Sequence, residues 1–123
     1  MKAWVNFLTK NKQAFGALFF AAYNGNLAMV QFLQANGADV SLMNHENFNS
    51  LHCAAQGDQT SAVIYYLVKE CGLEVDGPTK NGSTALHWAA FENNYLGLQY
   101  LIALQADINK KDQKGKTPLH LAV

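Results

Sequence analysis

Apolar residues recur along this chain at helical spacing, in blocks that return at a fixed phase. Met29, Val30, Phe32 and Leu33 form one block, Ala62, Val63, Tyr65, Tyr66 and Leu67 a second, and Leu98, Tyr100, Leu101 and Ile102 a third. Steps of i, i+3 and i+4 put such side chains on one face of a helix. Shorter blocks alternate with these: Leu51-His52-Cys53-Ala54-Ala55, Leu86-His87-Trp88-Ala89-Ala90 and Leu119-His120-Leu121-Ala122. The Leu-His pairs are 35 and then 33 residues apart, and a degenerate copy, Leu18-Phe19-Phe20-Ala21-Ala22, lies a further 33 back. A third motif keeps the phase, as Gly37-Ala38-Asp39-Val40, Leu73-Glu74-Val75-Asp76 and Ala106-Asp107-Ile108-Asn109. A constant period of this length marks a repeat architecture.

Each copy has the residues its parts require. Thr117-Pro118 opens a helix, because Thr caps well and Pro is tolerated at the first helical position. Thr84-Ala85 and Asn49-Ser50 keep a capping residue. The pairs Ala54-Ala55 and Ala89-Ala90 are small enough for neighbouring helices to approach closely. Gly82 and Gly115 suit the positive φ of a tight turn, and Asn47 can imitate them. Gly37 suits the left-handed position after a helix. One copy is therefore a turn, a short helix, a loop, a second helix and an extended connector. No copy can bury its apolar face alone, so the expected domain is a stack in which each unit buries the next.

The period and the run Thr117-Pro118-Leu119-His120-Leu121-Ala122 resemble the ankyrin repeat, whose signature is T-P-L-H-x-A. The resemblance runs from about Asn11 to Val123, and implies an all-α solenoid of helix-turn-helix units joined by short hairpin-like turns. Its expected divisions are a helical N-terminal cap over residues 1–10, a divergent repeat over 11–43, repeats over 44–78 and 79–111, and a partial repeat over 112–123. Trp4, Phe7 and Leu8 share the face of the cap helix. The first copy departs from the pattern, with Phe19 in place of His, Ala14 in place of the turn Gly and Gly16-Ala17 in place of Thr-Pro. The second is 35 residues long where its neighbours are 33, and its two extra residues, placed between Tyr66 and Val75, are expected to lengthen its second helix or the loop after it. The third has Asn93 where the family usually has Gly. Val123 falls inside a helix, so a fragment of a longer protein is expected.

Composition narrows the function classes. Of 123 residues, 50% are hydrophobic and 15% charged, and nine Lys, with no Arg, balance nine Asp and Glu. So apolar a chain is not disordered by composition. Zero net charge without Arg argues against nucleic acid, which is met by a basic face. Two cysteines make no disulfide scaffold. No apolar run reaches a membrane span, and the first residues lack the core and cleavage site of a signal peptide. The expectation is a cytoplasmic domain with free thiols, or the cytosolic part of a membrane protein, with apolar surface to spare.

The chemistry-bearing residues point away from catalysis. His52, His87 and His120 hold one place in successive repeats, and zinc ligands instead come in pairs a few residues apart. The resemblance implies that these histidines form a structural ladder, bonding within their repeat and to the adjacent turn. Neither Cys53 nor Cys71 has a His and acid pair placed with it. Gly-rich phosphate loops, His-Glu-x-x-His and Gly-x-Ser-x-Gly are absent from the sequence. The segment is therefore expected to be non-enzymatic, with no cofactor and no metal.

The resemblance also implies a concave binding face made of turn tips and the exposed side of each first helix. The protein-binding candidates are His45, Glu46, Phe48, Lys80, Asn81, Ser83 and Lys114 at the tips and Lys111 flanking them, with Tyr23, Trp88 and Phe91 from the helices. Aromatic and Met residues are enriched in interface cores; the competing explanation is ordinary surface aromatics or burial between repeats. The cluster of Lys110, Lys111, Lys114 and Lys116 is either a solvated turn face or a contact for an acidic partner. The expected partner of this monomer is a protein or peptide. Two alternatives are a substrate-recruiting segment of a membrane palmitoyltransferase, suggested by Gln59-Thr60-Ser61-Ala62-Val63 and Leu86-His87-Trp88-Ala89-Ala90, and a structural fragment whose end repeats stack on another copy.

Overall fold

The computed structural model describes residues 12–58 and 61–121. The expected cap helix over residues 1–10 lies outside them. Seven α-helices follow one another: α1 Lys12–Tyr23, α2 Leu27–Ala35, α3 Ser50–Gly57, α4 Ala62–Tyr65, α5 Ala85–Phe91, α6 Tyr95–Ala103 and α7 Pro118–Leu121. A π-helical turn, Tyr66–Glu70, continues α4. No strand occurs among the described residues, so the connectors are turns and extended chain.

The first helices form one row, α1 on α3, α3 on α5 and α5 on α7, while α2 and α6 pack behind α1 and α5. Alanine makes the row possible: Ala22, Ala54, Ala55, Ala85 and Ala89 have no exposed surface. Leu18, Leu51, Leu86, Val30, Ile64, Leu67 and Leu101 fill the space between the rows and are fully buried. Each such Leu or Ile contributes about 1.5–3 kcal/mol of burial.

Caps fix where the helices begin. Asn26 Oδ1 accepts the Met29 amide (3.1 Å) and Asn94 Oδ1 accepts the Gly97 amide (3.1 Å). In the copy between them the buried Asp58 does this work, with Oδ2 accepting the amides of Val63 (2.8 Å) and Ile64 (3.3 Å). Asn94 also reaches backwards, donating from Nδ2 to the carbonyls of Ala55 (3.0 Å) and Asp58 (3.1 Å). The third repeat is thereby tied to the second by a fully buried polar contact.

The two extra residues of the second repeat are split, not kept together as the sequence suggested. Core positions reveal the division. Leu18 and Val30 are twelve apart but Leu51 and Ile64 thirteen, so one extra residue precedes the second helix. Leu33 and Val40 are seven apart but Leu67 and Val75 eight, so the other follows the core of that helix. The π-helical turn absorbs it, with the Cys71 amide donating to the Tyr66 carbonyl and the Leu73 amide to that of Leu67, both at 3.0 Å. A π-turn adds a residue without breaking the helix, so Leu67 still reaches the core.

Left-handed backbone recurs at matching phases. Asn47 (φ 59°) stands with Gly82 (81°) and Gly115 (75°), and Asn93 (59°) with Gly25 (68°). Gln105 (φ 75°) occupies the place held by Gly37 and Gly72 in the other copies. Among the described residues no helix is long and apolar enough to cross a membrane. Apolar surface remains beside α7, where Leu119 is 77% exposed and Leu86, Leu98, Ile102 and Ile108 line a groove with it.

Two stability outcomes follow. Gln105→Gly should raise the unfolding free energy measured in urea by up to about 1 kcal/mol, and so the midpoint, because the left-handed cost of a side chain there disappears. Leu86→Ala should cost about 2–5 kcal/mol through the cavity left between α5 and its neighbours. Equal midpoints for Gln105→Gly and wild type would contradict the strained-turn account.

Candidate functional site

The turn tips are built by the same local chemistry. At the second copy the Asn44 amide donates to the Phe48 carbonyl (3.0 Å) and Asn44 Oδ1 accepts the amides of Glu46 (2.9 Å) and Phe48 (3.0 Å). At the fourth, Asp112 Oδ1 accepts the amides of Lys114 and Lys116, each at 2.9 Å. Those bonds, the Lys116 amide foremost, hold the Asp112 carboxyl below its ordinary range. At the third, Thr79 occupies this place and Asn81 Oδ1 takes over, accepting the Ser83 amide (3.3 Å) and the Thr79 hydroxyl.

Backbone bonds join the tips into one edge. The Lys80 amide donates to the Glu46 carbonyl (2.9 Å), and the Gln113 amide to that of Asn81 (2.9 Å). Gln113 adds a side-chain bond to the Lys80 carbonyl (3.0 Å). Gly82 permits the approach: a Cβ there would lie 3.1 Å from Asp112 Cα and Gln113 N.

Histidines hold this edge to the helices. His52 Nδ1 accepts the Asn49 amide (3.1 Å) and its Nε2 lies 2.9 Å from the Gly77 carbonyl. His87 repeats the arrangement, with the Thr84 amide at 3.1 Å and the Lys116 carbonyl at 2.9 Å. A nitrogen that accepts an amide carries no proton, so Nε2 must be the protonated one. His120 Nδ1 accepts the Thr117 amide (3.0 Å), but its side chain is exposed. Burial pushes His52 below its usual pKa, partly offset by the bond to Gly77. Burial also raises the Cys53 thiol to about 12, which keeps it protonated.

The sequence-predicted binding residues divide into an exposed set and a packed set. His45, Glu46, Lys80, Asn81, Lys111, Lys114, Tyr23 and Phe91 are exposed, with Phe91 60% and Tyr23 49% open. His45 Nε2 lies 3.5 Å from Glu46 Oε1. Ser83 is not available: it is 8% exposed and its amide is spent on Asn81. It directly precedes the capping Thr84, and the close fit of chain to helix at that point covers it. Phe48 is half-buried, stacked on His52 at 5.3 Å and edge-on to Phe19 (5.8 Å) and Trp88 (5.6 Å). Trp88, also half-buried, meets Phe91 at 6.4 Å. Phe19, where other copies have His, thus begins an aromatic run whose open end is Phe91. Among the described residues no group of three or more His, Cys, Asp or Glu could hold a metal ion.

Below the second and third tips lies a cleft of about 310 Å³ lined by Asn44, Glu46, Phe48, Thr79, Asn81 and Trp88. Asn44 and Thr79 were not among the expected binding residues. They share the repeat phase of Asp112, whose carboxylate serves the turn.

Stacked pairs of short helices, a continuous edge of tips and a histidine tie from helix to turn define a helical-repeat protein-interaction module. A family model described as ankyrin repeats (three copies) matches residues 18–112, and the chain belongs to the ankyrin repeat family. It is similar to palmitoyltransferase AKR1 of Lachancea kluyveri, 36% identical over 105 residues, which is 84% of this chain and 14% of that protein. Inversin of Canis lupus familiaris is 34% identical over 86% of this chain and 10% of its own length. Ankyrin repeat domain-containing protein 53 of Mus musculus is 35% identical over 84% of this chain and 21% of its own. The chain thus spans a small part of these relatives, and the palmitoyltransferase is matched over its ankyrin region.

The histidine geometry sets a pH dependence. The folded protein binds a proton at His52 less readily than the unfolded chain, whose value is near 6.5. The unfolded state therefore binds more protons below that value, and stability falls as pH drops through it. The unfolding free energies of wild type and His52→Gln, measured in urea, should differ by about 1–3 kcal/mol above about pH 7.5 and converge towards about pH 5. A gap that stays constant over this window would contradict the assignment.

Proposed function

We propose that this segment is a non-catalytic protein-binding module that holds an extended stretch of a protein or peptide along its tips and the exposed side of α1, α3 and α5. The observation that carries the reading is the aromatic run ending in Phe91, which is 60% exposed next to a hydrogen-bonded edge. Aromatic side chains offer large contact area and are common hot spots. Tyr23, His45, Glu46, Lys80 and Asn81 surround the same face, with Lys111 and Lys114 at its basic end. The repeat divisions given above, a monomeric state and a cytoplasmic setting belong to the same reading.

The likeness to palmitoyltransferase AKR1 favours a second, narrower reading. In it the segment recruits substrates to a transferase that these residues do not themselves contain.

A peptide library selected against the chain tests the main reading. Peptides so obtained should bind Phe91→Ala at least about tenfold more weakly, as a hot-spot truncation does. The variant's melting curve should stay close to wild type, since so open a ring adds little to the core. Unchanged affinity of every selected peptide for Phe91→Ala would place the binding face elsewhere.

A further inference from the structure

The second helices form a row of their own, with α4 between α2 and α6. A solvated helix normally carries charged residues on the face opposite its apolar stripe. This row has almost none. Neither α2 (LAMVQFLQA) nor α6 (YLGLQYLIA) contains a charged residue. Lys69 and Glu70, at the end of the π-turn, are the charges of the row. In their stead Tyr65, Tyr95 and Tyr100 are exposed.

Tyr65, Tyr66 and Tyr100 line a hollow of about 480 Å³ on this row, together with Gln31 and Glu70. Tyr65 and Tyr100 meet edge to face, with ring centroids 6.4 Å apart and planes at 90°. The Tyr66 hydroxyl donates to Gln34 Oε1, which ties that ring to α2. Burial, then Cys71 and Glu70, hold its phenol above the usual pKa, so the ring is neutral at pH 7. Glu70 is exposed and makes no ion pair among the described residues. Lys69 does not line the hollow.

Three aromatic rings and one unmatched carboxylate complement a positive charge, because a ring attracts a cation held within about 6 Å of its centre. The acceptors decide which cation fits. A guanidinium lies flat on a ring and also donates to oxygens such as those of Glu70 and Gln31. A lysine ammonium holds its water more strongly, and a quaternary ammonium has no N–H to give either oxygen. This chain has no Arg, so a second copy of it cannot supply the guanidinium.

We infer that this hollow is a second interaction site, which takes an arginine side chain from a basic segment of a partner protein. The guanidinium packs on Tyr65 and Tyr100 and donates to Glu70. The site is separate from the tip edge, since it uses α2, α4 and α6.

The probe is N-acetyl-arginine methylamide, titrated by NMR at low salt while the ring signals of Tyr65 and Tyr100 are followed. Both should shift saturably, with the weak affinity expected of so small a ligand. The citrulline counterpart has nearly the same shape without the charge and should give no saturable shift. Glu70→Gln should weaken the arginine probe by up to about fivefold, and Tyr65→Leu or Tyr100→Leu by about two- to fivefold. All three side chains are exposed, so the melting curves should stay close to wild type. Phe91→Ala should bind the probe as wild type does. Unmoved ring signals, citrulline binding as tight as arginine, or equal affinity of wild type and Glu70→Gln would each overturn the inference. Tighter binding of the trimethyl-lysine counterpart would overturn arginine as the ligand, and a loss of affinity in Phe91→Ala would overturn the separation from the tip edge.

Discussion

Stacking of first helices against one another is the constraint on which everything else in this chain depends. A seven- or eight-residue helix is marginal by itself, and α3 and α5 are of that length. They persist because Ala54, Ala55, Ala85 and Ala89 let their backbones approach while Leu51 and Leu86 fill the remaining space. Each copy completes its neighbour's core, so the energy of the fold sits between units more than within them.

Close stacking has a polar consequence. Backbone groups in the tips cannot all pair within their own turn, and the shared solutions join one copy to the next. Lys80 to Glu46, Gln113 to Asn81, and the Nε2 bonds of His52 and His87 are such cross-links. Asn94 does the same in the interior. The tip edge is therefore rigid because the helices behind it are packed, and it offers side chains such as Glu46, Lys80 and Asn81 at fixed positions. A ligand meeting such a surface loses less entropy than one meeting mobile loops.

Much of this was legible from the chain alone. The Leu-His and Ala-Ala spacing marked the copies, and Asn47 and Asn93, standing where glycine is usual, do adopt positive φ. The site was legible only in outline. Phe48 and Ser83 occupy tip positions by phase, but one is half-buried against Phe19, His52 and Trp88 and the other is covered. Phase places a residue along the repeat, whereas exposure depends on the neighbouring copy, and Phe19, a departure from the pattern, is what Phe48 packs against. Nothing in the local sequence of Asn44 placed it on one cleft with Thr79 and Trp88.

The division of the two extra residues shows the same limit. By itself the sequence determined the repeat period, the order of helices and the surplus of two residues in the second copy, because these follow from local periodicity and capping. Only the tertiary structure decided that one residue precedes the core of the second helix and one is absorbed in the π-turn Tyr66–Glu70. Ile64 and Leu67 must both reach a core whose dimensions the neighbouring copies set. A helix constrained at both ends accommodates a spare residue wherever doing so leaves those side chains inside, and the chain's own local preferences do not specify that place.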